Sequence, residues 1–211
     1  MENKKGVFIV FEGIDGCGKS TLLKRFASYL FERNKYSHII LTRNPYKDLN
    51  IRKILRKDSD PLKNSEILTE LFIKDRIDHL KNIVIPNLKK GCYVLCDRYK
   101  LSTIAYQSAQ GIKRDYLIKK QKDLIDPDIT FLIDVSIKTA FERMKKDDKR
   151  KENKFEKSPE FLEKVRFNYL ELKDILDEKN IIMIDGEKDV ETIFKEMKNH
   201  FENKLINRNN Y

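Results

Sequence analysis

Residues Gly13-Ile14-Asp15-Gly16-Cys17-Gly18-Lys19-Ser20 follow the pattern G-x-x-x-x-G-K-[ST], a spacing that builds a cradle for phosphate. The glycines let the backbone curl until several N–H groups point at one anion. Lys19 reaches the outer phosphates, and the Ser20 hydroxyl can ligate magnesium. A chance glycine-rich turn would not require a buried strand before it and a helix after it. Here Val7-Phe8-Ile9-Val10-Phe11 supplies the strand, and Leu22, Leu23, Phe26 and Leu30 recur at helical spacing beyond Thr21. The chemistry in view is the handling of a nucleoside triphosphate.

A second group of residues follows another apolar run. Tyr93-Val94-Leu95-Cys96 leads into Asp97-Arg98-Tyr99, which sets a carboxylate and a guanidinium at the end of a strand. An acid there can hold magnesium or orient a phosphate oxygen, and an arginine can grip a phosphate through two parallel hydrogen bonds. A structural ion pair at a strand end is the plainer alternative.

Phe72 and Arg76 share a face of a helix expected over about Ser65 to Leu80, where a ring could stack on a nucleobase and a guanidinium could donate to a base carbonyl. The same helix would want Phe72 in its core in any case. Beyond Ser102, the residues Thr103, Tyr106 and Gln107 fall at i, i+3 and i+4, so polar groups converge on one side. From Arg143 to Lys157 the chain is dense in charge and nearly empty of core residues. This span is expected not to pack tightly, and opposite a phosphate site it could fold over as a lid that brings cations and excludes water.

These residues need a frame. Five apolar runs, Val7 to Glu12, His38 to Thr42, Tyr93 to Asp97, Ile129 to Val135 and Ile181 to Asp185, alternate with helical patterns. That order predicts an α/β fold with a five-stranded parallel sheet flanked by helices, in which ligands bind beyond the carboxyl ends of the strands. Ser158-Pro159 marks the start of a helix carrying Phe161, Leu162, Val165, Tyr169 and Leu170, a stripe read as core-facing and without chemistry. A last helix places Ile193, Phe194, Met197 and Phe201 along one stripe.

The chain has 211 residues, enough for one sizeable core, and Pro, Gly and Ser are scattered too thinly to mark a linker, so residues 1–211 are expected to form one domain. The net charge of +10 invites a nucleic-acid reading. Lysines are interleaved with Glu and Asp along nearly every expected helix, however, and no aromatic-basic motif occurs, so nucleic acid is not expected as a partner. Three cysteines without a second Cys or His at metal spacing point to reduced thiols, with Cys92 and Cys96 flanking a strand. No apolar stretch is long enough to span a bilayer, and a cytoplasmic protein without a membrane partner is expected. His38, His79 and His200 are scattered and read as solvated or structural.

Taken together, these motifs resemble the thymidylate kinases, within the nucleoside monophosphate kinase group of P-loop proteins, over essentially the whole chain. The resemblance rests on Phe11 to Thr21, Thr42-Arg43 with Pro45, Phe72 and Arg76, Asp97-Arg98-Tyr99 with Ser102 and Tyr106, and Lys154-Phe155-Glu156. It implies phosphorylation of dTMP to dTDP with ATP as co-substrate and Mg2+ as cofactor, in a homodimer, with a lid at about residues 143–157. Gly13 to Thr21 would bind ATP, and Ser20 and Asp97 would hold the metal. Asp15, Arg43, Pro45, Phe72, Arg76, Arg98, Ser102, Thr103 and Tyr106 would bind dTMP, with Tyr106 packing where a ribose 2′-hydroxyl would go. Lys19, Asp97, Arg98, Arg150 and Lys154 would serve the transfer itself.

Two departures stand out. Similar bacterial enzymes carry Arg-Glu-Pro after the second strand, whereas this chain has Arg43-Asn44-Pro45, and Lys154 stands where an arginine usually precedes the Phe-Glu pair. Gly16 occupies the position at which eukaryotic-type relatives carry a catalytic arginine, which shifts that burden to the lid and makes Arg150 its leading cation, ahead of Lys154 and Arg143. The rival readings are another nucleoside or nucleotide kinase on the same frame and a nucleic-acid-associated ATPase.

Overall fold

The structure, a computed structural model, describes residues 6–146, 153–176 and 180–209, with side chains as far as 204. In chain order the elements are β1 (Val7–Glu12), α1 (Lys19–Arg33), β2 (Ile39–Arg43), α2 (Leu49–Lys57), α3 (Ser65–His79), α4 (Ile85–Lys89), β3 (Tyr93–Asp97) and α5 (Lys100–Ala109). There follow α6 (Arg114–Gln121), β4 (Ile129–Asp134), α7 (Ile137–Lys145), α8 (Pro159–Leu176), β5 (Ile181–Asp185) and α9 (Val190–Asn209).

The strands pair in the order β2-β3-β1-β4-β5, all parallel. Side chains alternate across a strand, so Val7, Ile9 and Phe11 join one core with Phe26, Phe131 and Phe201, while Phe8 and Val10 join another with Val94 and Tyr99. Both sheet faces are thereby covered, which explains the unbroken apolar run of β1. The chain leaves β1 toward β2 on one side and later returns to β4 on the other. The C-terminal ends of β1 and β3 therefore flank a crevice, and in register Phe11 and Arg43 both lie beside Asp97.

Several boundaries differ from expectation. β2 runs one residue later because Arg43 is still paired with Asp97, and β4 stops at Asp134, where pairing with Asp185 ends. The helix from Ser65 passes through a wide π turn, Leu80–Val84, into α4, since Pro86 has no N–H to continue the regular ladder. Cys96 lies inside β3 and is fully buried.

The expectation that residues 143–157 pack loosely is overturned at the C-terminal end of the span. Arg143 sits in the last turn of α7, and beyond the charged stretch Phe155 stacks on Phe161 with ring centres 4.9 Å apart. Burial of that one aromatic ties the segment down despite its charged neighbours. Residues 147–152, Arg150 among them, lie outside the described residues. Among the described residues no helix is long and apolar enough to cross a membrane.

Candidate active site

The turn after β1 is shaped by close backbone packing. Gly16 has φ +82°, and a Cβ there would lie 2.4 Å from the Ala140 carbonyl oxygen of α7. No side chain fits without moving α7, which gives a physical reason for glycine at this position. Lys19 opens α1, and its ammonium donates to the carbonyls of Gly13 at 3.1 Å and Ile14 at 2.7 Å. No side chain caps α1, so the amides of its first turn and its positive end face the loop interior. Such a cradle binds phosphate.

Ser20 Oγ donates to Asp97 Oδ2 across 3.3 Å, joining the loop to the end of β3. The other carboxylate oxygen, Asp97 Oδ1, is buried without a hydrogen-bond partner among the described residues. An acceptor left unpaired at that depth is costly, and a hydroxyl beside a carboxylate is the hard-oxygen donor set that magnesium takes. The residues therefore fit Mg2+. Among the described residues there is no group of three His, Cys, Asp or Glu suited to a metal, so such an ion would draw most of its ligands from phosphate and water.

Arg98 has φ +72°, a left-handed conformation that costs an L residue about 1 to 2 kcal/mol. The surroundings hold it there. Its guanidinium donates to Asp15 Oδ1 at 2.9 Å, to the Gly13 carbonyl at 3.1 Å, to Ser102 Oγ at 3.1 Å and to the Tyr106 hydroxyl at 3.2 Å. Burial is the largest single influence and opposes its charge, yet Asp15, Tyr106, Tyr169 and Asp97 together outweigh it and lift the pKa above the usual arginine value. The Tyr106 hydroxyl also donates to Asp15, at 2.8 Å. The phosphate loop, the end of β3 and α5 are thus joined through one carboxylate.

Beneath Arg98 lies Glu12, fully buried at the end of β1. It accepts from the Tyr99 amide at 2.7 Å, from Ser102 Oγ at 2.5 Å and from the Tyr169 hydroxyl at 3.1 Å. Ser102 is therefore committed to this network, where it supports Arg98. Tyr169, expected to be only part of an apolar stripe, turns its hydroxyl onto Glu12 and Ser102. Glu12 itself carried one signal in the sequence. A carboxylate closing a wholly apolar strand must find several donors if it is to be buried.

A cleft of ≈ 810 Å³ opens above these groups. Its lining includes Phe72, Arg76, Thr103, Tyr106 and Gln107. Arg76 is 1% exposed, donates to Thr103 Oγ1 at 2.7 Å and to Gln121 Oε1, and keeps a buried Nε without a partner among the described residues. Burial lowers its pKa. An aromatic wall beside a fixed guanidinium suits a flat heterocycle with a carbonyl edge. Arg43, Pro45, Arg52 and Arg56 line the cleft beside β2 and α2.

Arg143 also lines the cleft and donates to the Cys17 carbonyl of the loop at 3.3 Å and to the Gly186 carbonyl at 2.9 Å. Lys154 does not reach the cleft. Its side chain is fully buried away from it, donating to the Lys63 carbonyl, with Asp58 at 3.7 Å. The backbone explains the direction. The Lys154 amide bonds the Leu55 carbonyl at 2.9 Å while its neighbours Asn153, Phe155 and Glu156 line the cleft, which leaves Lys154 facing the α2–α3 connection. Lys154, expected to serve the transfer, is thus placed outside the cleft.

A family model described as thymidylate kinase matches residues 11–197. A thymidylate kinase of Thermosipho melanesiensis is 39% identical over 199 residues, covering 91% of this chain and 96% of its own. One of Thermosipho africanus is 38% identical over 207 residues, covering 94% and 99%. A probable thymidylate kinase of Pyrococcus horikoshii is 37% identical over 185 residues, covering 84% and 88%.

Proposed function

This chain belongs to the thymidylate kinase family, and from that premise we propose that its cleft carries in-line transfer between an ATP tail held by the loop and a dTMP phosphate held by Arg98. The protein is a kinase that phosphorylates dTMP to dTDP, with ATP as donor. In-line transfer needs position and positive charge, and a monophosphate acceptor is already anionic, so no general base is required.

Lys19 and the residues from Gly13 to Thr21 take the ATP phosphates. Ser20 and Asp97 would hold Mg2+, which would supply positive charge to offset that of the phosphates. Arg98 grips the dTMP phosphate, with Asp15 beside it and Arg43 and Pro45 at the rim. Phe72 stacks on thymine, Arg76 meets a thymine carbonyl while Thr103 fixes its guanidinium, and Tyr106 fills the space a ribose 2′-hydroxyl would need. Arg143 and Arg150 supply the cations of the lid side.

The observation that carries this reading is the convergence of Lys19, Asp97 and Arg98 on one cleft that Phe72 and Arg76 also line. The protein is further read as one cytoplasmic domain and as a homodimer. Exposed Ile67 and Ile77 lie on one face of α3, with Glu70 and Lys74 between them, and this face is read as the one a partner subunit would cover. The testing experiment is a coupled assay with Mg-ATP across a panel of monophosphates. dTMP is expected to be the fastest acceptor, and faster transfer to AMP or UMP would overturn the pocket assignment.

A further inference from the structure

We infer that Asn44 is a positioning residue that locks the Arg98 backbone and so aims its guanidinium into the acceptor site. The inference rests on the reading of Arg98 as the clamp on the dTMP phosphate. Asn44 follows β2 directly, and its own amide donates to the Asp97 carbonyl at 3.0 Å. Its side chain is 3% exposed, and Nδ2 donates to the Arg98 carbonyl at 3.0 Å and to Cys96 Sγ at 3.4 Å.

Arg98 needs such a lock because its φ of +72° is one that an arginine leaves readily when nothing holds it. Both of its backbone groups are tied. The N–H donates to the Phe11 carbonyl of β1 at 2.9 Å, and the carbonyl accepts from Asn44 and, at 3.1 Å, from the Cys96 thiol. A thiol is a weak donor. It cannot replace an amide as the partner of the Arg98 carbonyl.

Asn44 acts through its donor half. Its Oδ1 is buried with no hydrogen-bond partner among the described residues, so what the side chain contributes here is the N–H. A carboxylate in the same place could only accept, and would face the Arg98 carbonyl with like partial charge. With asparagine, β2 fastens the residue that follows β3, and the crevice edge carries its own latch.

The test is calorimetric binding of dTMP, and separately of ATP, to the full chain carrying Asn44→Asp or Asn44→Ala, each in the wild-type and the Arg98→Ala background. In the wild-type background both variants are expected to weaken dTMP binding about tenfold, the usual worth of one buried hydrogen bond, with ATP binding held within about twofold. In the Arg98→Ala background the same changes should move dTMP binding less than about twofold, because the residue being aimed is gone. Equal losses in both backgrounds, equal losses for both ligands, or no loss at all would overturn the inference. So would failure of both variants to fold, judged by circular dichroism, since Asn44 would then be holding the fold. Wild-type protein that bound no dTMP would overturn the acceptor reading as well, which separates the two failures.

Discussion

Lys154 Nζ lies 3.7 Å from Asp58 Oδ2 and donates to the Lys63 carbonyl, with no part of its side chain exposed. The cation that follows the charged segment therefore fastens it to the α2–α3 connection. Burial lowers the Lys154 pKa, and Asp58 works against that fall.

Lys154→Met should consequently behave as a stability variant. Losing a buried charged hydrogen bond and leaving Asp58 without its cation should cost about 2 kcal/mol in chemical denaturation. Turnover at saturating substrates should fall less than about threefold, whereas Arg143→Ala should lower it by tenfold or more through loss of a cation at the phosphate loop. A Lys154→Met protein of normal stability and badly reduced turnover would contradict this assignment.

Much of this candidate site is legible in the sequence, and the reasons differ by residue. Gly13, Gly16, Gly18, Lys19 and Ser20 are local chemistry, because the turn is built from neighbours in the chain. Asp97 and Arg98 were legible by position, since residues that end a parallel strand face the ligand side of the sheet. The Glu12 network was not, because its partners Ser102 and Tyr169 lie 90 and 157 residues away and a hydroxyl on an apolar stripe gives no sign of its direction. Nor was Lys154. A lysine's surroundings depend on which way the backbone bond at Leu55 turns it, and composition suggested only a solvated loop.

Phe72 is half-buried on α3, packed against the core on one side and lining the cleft on the other. Phe72→Ala should weaken dTMP binding by about 1 to 3 kcal/mol, the worth of one base stacked on a ring, with the ATP constant little changed. Isothermal titration with each nucleotide measures both. Unchanged dTMP affinity would show that the base lies elsewhere.

His79 supplies a pH dependence without a role in transfer. It is fully buried, its Nε2 lies 2.6 Å from Thr42 Oγ1, and it stacks on Tyr46 with ring centres 5.0 Å apart. Burial lowers its pKa from 6.5 to about 4, with Asp75 opposing the shift. The sign follows from linkage. Above pH about 6.5 both folded and unfolded chains hold it neutral and nothing is lost, whereas between about 6.5 and 4 the unfolded chain takes up a proton that the folded one refuses. Stability should fall by about 2 kcal/mol between pH 7 and 5 from this group alone. Urea midpoints for wild type and His79→Gln across that range test it, and parallel pH profiles would contradict it.

The most direct measurement of the central claim, that two anions meet between the loop and the end of β3, is a paired kinetic comparison of Lys19→Ala and Arg98→Ala. Lys19→Ala should cut kcat by about 10² to 10³ while leaving dTMP affinity near wild type. Arg98→Ala should raise the dTMP KM by about 10 to 100-fold with the ATP KM little changed, because it removes a charged contact to one anion only. An Arg98→Ala enzyme that bound dTMP as well as wild type, or lost both nucleotides alike, would contradict the account.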